Sequence, residues 1–222
     1  MHRIPVYLLL AAVLVMTSLT VAASDDMEAW LEQDDDSRVQ RVNEGSLDFI
    51  QDAQDRRVLQ TRNWLTISPD SLRNGWVTLN QCQSNLDPVP AVEVVYRYHE
   101  LRNLRVISTR SIERAWVEQN SVQMQQVQEG AEVCIEAEVQ VLKPDGQHGY
   151  TLQSGPFHRR FLDGYYPVQL DYRIHWPADR LQLTSVYPQA QEGFSIREQP
   201  GELRIDTLFE GKLTLVIRFS TP

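Results

Sequence analysis

The residues of strongest chemical character fall in one short run, Phe157-His158-Arg159-Arg160-Phe161-Leu162-Asp163-Gly164-Tyr165-Tyr166-Pro167. Two guanidinium groups can grip an anion through paired N–H donors, and the rings of Tyr165 and Tyr166 can stack on a sugar or on a partner's side chain. Arginine and aromatic residues also dominate protein interfaces. His158, Arg159, Arg160, Tyr165 and Tyr166 are therefore the expected binding residues, and an extracytoplasmic protein or glycan is the expected partner. The opposing reading turns Phe157 and Phe161 inward and pairs the arginines with nearby acids, as charges on neighbouring strands commonly do.

Catalytic chemistry finds little support. Ser154, His158 and Asp163 supply the residue types of a hydrolytic triad, but Gln153-Ser154-Gly155-Pro156 lacks the G-x-S-x-G elbow and nothing nearby offers an oxyanion hole. His99, His148, His158 and His175 are widely separated, with no H-x-H or H-x-x-x-H pair, so no metal site is expected. Acids are plentiful, yet no pair is marked out as the tuned carboxylates of a glycosidase. No phosphate-cradling glycine loop occurs, so no cofactor is expected. The formal charge is −9, and Lys143 and Lys212 are the only lysines, which argues against nucleic acid as a ligand.

The two cysteines, Cys82 and Cys134, form an even pair suited to an oxidising compartment. A bridge over this spacing would restrict the unfolded chain by about 4 kcal/mol. In the alternation around Cys134, Val133, Ile135, Ala137 and Val139 share one face, and Cys134 shares the other with Glu136, Glu138 and Gln140. The bond is thus expected on an outer face, pinning a loop or covering segment there, unlike the inter-sheet bridge of an immunoglobulin domain.

The elements that must position these residues begin after a leader. Met1-His2-Arg3, the uncharged stretch from Val6 to Met16 and the small residues Val21-Ala22-Ala23 read as a signal peptide over 1–23, cleaved before Ser24. The remainder is then expected in the periplasm or secreted, without stable membrane insertion, since no later stretch is long and apolar enough to span a bilayer. A short helix is expected from Asp25 to about Gln33. The following Asp34-Asp35-Asp36 is not an EF-hand loop, because Val39 stands at the sixth position and Gly45 at the twelfth.

From about Val39 the pattern has period two. Val77 and Leu79, then Val92, Val94, Tyr96 and Tyr98, then Val168 through Trp176, then Leu203, Ile205 and Thr207, then Leu213 through Phe219 each alternate with polar residues. Such strands have one buried and one wet face and pair antiparallel. Turns are expected at Glu129-Gly130, Lys143-Pro144-Asp145-Gly146, Pro200-Gly201 and Glu210-Gly211, with a two-residue hairpin loop at Asp163-Gly164. Ser111 to Val127 is ambiguous: Ile112, Ala115 and Trp116 fit a helical stripe, while Trp116, Val122, Met124 and Val127 fit two short strands, the reading preferred here. The fold class is all-β: an antiparallel sandwich, either two packed immunoglobulin-like units (24–155 and 156–222, hinged at Ser154-Gly155-Pro156) or one continuous domain over 39–222. The expected function is that of an exported, non-catalytic binding or accessory structural protein. The alternatives are a small-ligand carrier of barrel type and an extracytoplasmic hydrolase of glycan or cell wall.

Overall fold

Alternation in the chain becomes two layers of sheet with the apolar positions between them. A computed structural model describes residues 43–146 and 148–222. The leader, the helix expected from Asp25 and the Asp34-Asp35-Asp36 run lie outside these residues. The strands are β1 Asp48–Phe49, β2 Leu59–Thr66, β3 Trp76–Ser84, β4 Val89–Val95, β5 Leu101–Glu118, β6 Ser121–Gln140, β7 Leu142–Pro144, β8 Gly149–Phe157, β9 Arg159–Phe161, β10 Gly164–Tyr166, β11 Val168–His175, β12 Gln182–Tyr187, β13 Phe194–Gln199, β14 Glu202–Glu210 and β15 Leu213–Ser220. A single helical turn, Ser71–Asn74, precedes β3.

The larger, nine-stranded sheet runs β1-β14-β11-β2-β3-β6-β4, with β13 on β14 and β5 on β6. The smaller runs β12-β15-β8-β7, and β9 and β10 form a separate hairpin. Leu170, Tyr172 and Ile174 of β11, Leu203 and Ile205 of β14, and Leu213, Leu215, Ile217 and Phe219 of β15 are buried. Each such side chain contributes about 2 kcal/mol through removal from water. Rings tie the layers together: Trp176 meets Phe219 at 5.2 Å and Phe157 meets Tyr172 at 6.1 Å, both edge-on.

Four expectations change in detail. The sheets are not wholly antiparallel, because β2 pairs parallel to β11 from Leu59↔Val168 to Thr66↔His175. The division at Ser154-Gly155-Pro156 is not a hinge. Val42–Pro222 forms one compact unit, and β11 and β14 from one side of that point share a sheet with β2 and β3 from the other. Gly155-Pro156 sits inside β8 as a bulge against β15, where Leu213 pairs with Phe157 and Leu215 with Ser154. A bulge tolerates a proline because the ladder there requires no N–H. Gly155 has φ +101, and a Cβ on it would stand 2.6 Å from the Leu213 carbonyl oxygen.

Glu129-Gly130 is likewise a kink within β6 and not a turn. Gly130 has φ 71, and across it β6 passes from pairing with β4 at Val127 to pairing with β3 at Glu132. The disulfide lies on the outer face, as alternation requires, but it joins directly opposed residues of two neighbouring strands, Cys82↔Cys134, rather than a covering segment. Around it the outer face is a ladder of charge, with Arg62–Glu132, Arg105–Glu136 and Arg102–Glu138 ion pairs. Ser111 to Val127 is strand throughout apart from the β5–β6 turn. The outer edge of β5 faces solvent. Register shifts between Arg102 and Arg105, Val106 and Ser108, and Arg110 and Ile112 interrupt it, which blunts an edge against pairing with another chain.

Candidate functional site

The aromatic-arginine run folds into the β9–β10 hairpin, one residue out of the expected register. Gly164 pairs with Phe161, so the loop is Leu162-Asp163 and not Asp163-Gly164. Side-chain packing favours this register. Tyr166 lies opposite Arg159 and Tyr165 opposite Arg160, which places the Arg159 guanidinium over the rings of Phe161 (5.2 Å) and Tyr166 (5.4 Å) and that of Arg160 over Tyr165 (5.6 Å). Tyr166 also donates its hydroxyl hydrogen to Asp163.

The five expected binding residues divide by burial and not by strand face, since Tyr165 shares a face with Arg160 and Tyr166 with Arg159. Arg159 is buried and committed within the protein. Its Nε donates to Asp87 Oδ2 at 3.1 Å, its Nη2 to Asp87 Oδ1 at 2.5 Å, and its Nη1 to the Arg57 carbonyl. Tyr165 is buried too, with its N–H bonded to the Asn43 carbonyl. Both are held by contacts within the protein, and Arg159 also lines the cleft described below. Tyr166 is half-buried; His158 and Arg160 are exposed. Phe157 is half-buried and Phe161 is exposed, so only the first turns inward.

A second ion pair secures the chain beside the hairpin. Arg56 pairs with Glu210, which is 5 % exposed at the end of β14. Burial pushes the Glu210 carboxyl above the usual range, against the pull of Arg56. An acid whose folded pKa is raised binds its proton more tightly when folded, so its contribution to stability grows as pH falls towards the unfolded value of about 4.3. Arg56→Ala leaves that carboxylate uncompensated. It should cost about 3 kcal/mol near pH 8 and measurably less near pH 5, read from urea unfolding at both values. A deficit that did not shrink with acidification would mean that Glu210 is not the group left exposed to the penalty.

What the sequence did not reveal is a cleft beside the hairpin, of about 450 Å³. Three pieces of chain line it. The segment Val89–Tyr98, comprising β4 and the residues after it, brings Val92, Val94, Tyr96 and Tyr98. The segment Gly155–Phe161 brings Pro156, Phe157, His158 and Arg160. The ends of β2 and β3 bring Leu59, Thr61, Gln81 and Gln83. The lining is mostly apolar with a few polar groups, the composition of small-molecule sites. Gln81 is buried and donates to Asn63 Oδ1 at 2.8 Å. Farther in, the hydroxyls of Tyr98 and Tyr172 face Ser154, whose buried Oγ closes no hydrogen bond. Burial pushes the Tyr98 hydroxyl up to about 12 and the Tyr96 hydroxyl higher still, so both remain protonated donors.

The triad does not assemble. Ser154 is buried in the core while His158 is exposed, its ring 5.8 Å from Tyr165, and Asp163 receives the Tyr166 hydroxyl. Among the described residues no three His, Cys, Asp or Glu side chains converge on a point that could hold a metal ion.

No family model matches the chain, and no curated protein does. Among solved structures it is similar to a mutant M1 zinc metallopeptidase from Deinococcus radiodurans bound to a Tyr-Ser-Ala substrate, at TM-score 0.39 and 11% identity over 79% of this chain and 43% of that one. A mutant of a two-domain M1 zinc metallopeptidase bound to L-tryptophan gives TM-score 0.35 and 13% identity over 79% and 44%. The chain therefore spans less than half the length of these structures, and likeness at this level carries no chemistry across.

Proposed function

We propose that this is an exported, non-catalytic β-sandwich protein whose binding site is the cleft between Val89–Tyr98 and Gly155–Phe161. The observation that carries the reading is the lining itself: valine, leucine and aromatic side chains form a concavity of ligand size in a domain whose other apolar side chains largely fill the core. The exposed members of the expected set, His158 and Arg160, stand on this cleft, so the hairpin serves as one of its walls. Export is supported by the leader and by the Cys82–Cys134 bond, since such bonds persist in oxidising compartments. Among the described residues no helix is long and apolar enough to cross a membrane.

The test uses protein recovered from the extracytoplasmic fraction, whose N-terminus by mass spectrometry is expected at Ser24. The neutral fluorophore 1-aminoanthracene should bind it in a one-to-one ratio. Val92→Trp, which fills the cleft, should abolish binding while leaving the circular dichroism spectrum unchanged. Failure of the dye to bind, or undiminished binding to a folded Val92→Trp variant, would remove the cleft from the function.

A further inference from the structure

The margin of the cleft has the opposite electrostatic character to the rest of the protein. The chain carries −9 overall, yet Arg97, His158 and Arg160 line the cleft as exposed residues. Lys212 joins them through the Tyr165 ring, lying 5.4 Å from its centroid, with Arg160 at 5.6 Å and the His158 ring at 5.8 Å. Of the acids on the same lining, Asp87 is paired with Arg159, and Glu93, which accepts from Gln123 Nε2 at 2.7 Å, is among the described residues the one carboxylate of the lining not in an ion pair, against the two unpaired arginines. Among the described residues none of Arg97, Arg160 and Lys212 forms an ion pair, although most other arginines do. His158 registers the sign of this field. Burial first, then repulsion from Arg97, Lys212 and Arg160, holds its imidazole below the usual range. An excess of cations around an apolar concavity raises the local concentration of anions and fixes their orientation.

We propose that the ligand of the cleft is an organic anion with an apolar body, its carboxylate held by Arg97 and Arg160 at the margin and its body lying along Val92, Val94 and Phe157. The inference rests on the cleft being the binding site and adds the chemistry of what occupies it. A guanidinium holds a carboxylate through parallel N–H donors, and neither arginine must break an internal ion pair to do so. The apolar body supplies affinity through burial, while the head supplies orientation and selectivity. A bare inorganic anion lacks the first contribution and an alcohol of the same chain lacks the second.

Displacement of bound 1-aminoanthracene by decanoate, decanol and decyltrimethylammonium, each below its micellar concentration at low salt and neutral pH, separates these contributions. Decanoate is expected to act at a concentration about tenfold lower than decanol, with the cation weakest and inorganic phosphate without effect. Added salt should narrow the gap. The variant Arg97→Gln/Arg160→Gln should bring decanoate to the level of decanol, each read against that variant's own dye affinity, and leave the unfolding midpoint unchanged, since both side chains are exposed. Equal displacement by decanoate and decanol in the wild type, or a preference for decanoate that survives in the double variant, overturns the anion assignment and leaves the cleft as a neutral apolar site. Loss of dye binding altogether is a different failure, which removes both the cleft and its ligand.

Discussion

Removing the Cys82–Cys134 bond by the double substitution Cys82→Ala/Cys134→Ala is expected to lower stability by about 4 kcal/mol. The bridge closes a loop with a sequence separation of 52 residues, and loop-closure entropy over that length gives the figure. The bond joins opposed residues of β3 and β6, strands that are paired from Trp76↔Gln140 to Ser84↔Glu132 with or without it. The folded sheet therefore loses little, and the effect falls on the unfolded chain, which regains its freedom. Against a total stability of about 5–15 kcal/mol for a domain, this is a large share. At this size it corresponds to a fall in Tm of roughly 8–16 °C. Urea unfolding of the oxidised and reduced wild type alongside the double variant checks it. A change below about 1 kcal/mol would mean that β3 and β6 remain associated in the denatured state.

The second large effect belongs to Arg159. Truncation to alanine strands the Asp87 carboxylate and frees the Arg57 carbonyl beneath the hairpin, and breaking such a pair from one side costs about 3–5 kcal/mol. The fork of contacts to both carboxylate oxygens makes Arg159→Lys a poor rescue, because an ammonium cannot reproduce it. Asp87→Ala should cost a similar amount. The double variant should cost much less than the sum, with a coupling above about 1 kcal/mol. Arg160→Ala, one residue away and exposed, should remain within about 0.5 kcal/mol of wild type. If Arg159→Ala and Arg160→Ala behaved alike in unfolding, the hairpin would not be anchored through Asp87.

The contrast between these two arginines also marks the limit of reading the chain by composition. Both belong to one aromatic-basic run, and composition makes them equivalent. Strand alternation separates them, and that signal was present once β9 was recognised as a strand. Where inward positions are apolar, as in β11, β14 and β15, the buried face could be read directly from the letters. β2 could not be read so, because its buried positions include Thr61 and Asn63 while Trp64 faces outward beside Arg62. The parallel pairing of that strand was consequently invisible. Much of β5 is exposed, which leaves weak periodicity to detect. The cleft was hidden for a different reason. Val92, Val94, Tyr96 and Tyr98 alternate as any half-buried strand does, and only the arrival of Gly155–Phe161 from some sixty residues later makes their face a site.

The parallel β2–β11 pair also orders events in time. Leu59 meets Val168 across 109 residues of sequence (168 minus 59), whereas β5 and β6 adjoin through a turn of two residues, Gln119-Asn120. Local ladders form early and distant ones late, because a long segment must be gathered before its contacts repay the entropy lost. The middle of the large sheet therefore closes only after the chain as far as His175 is free to fold.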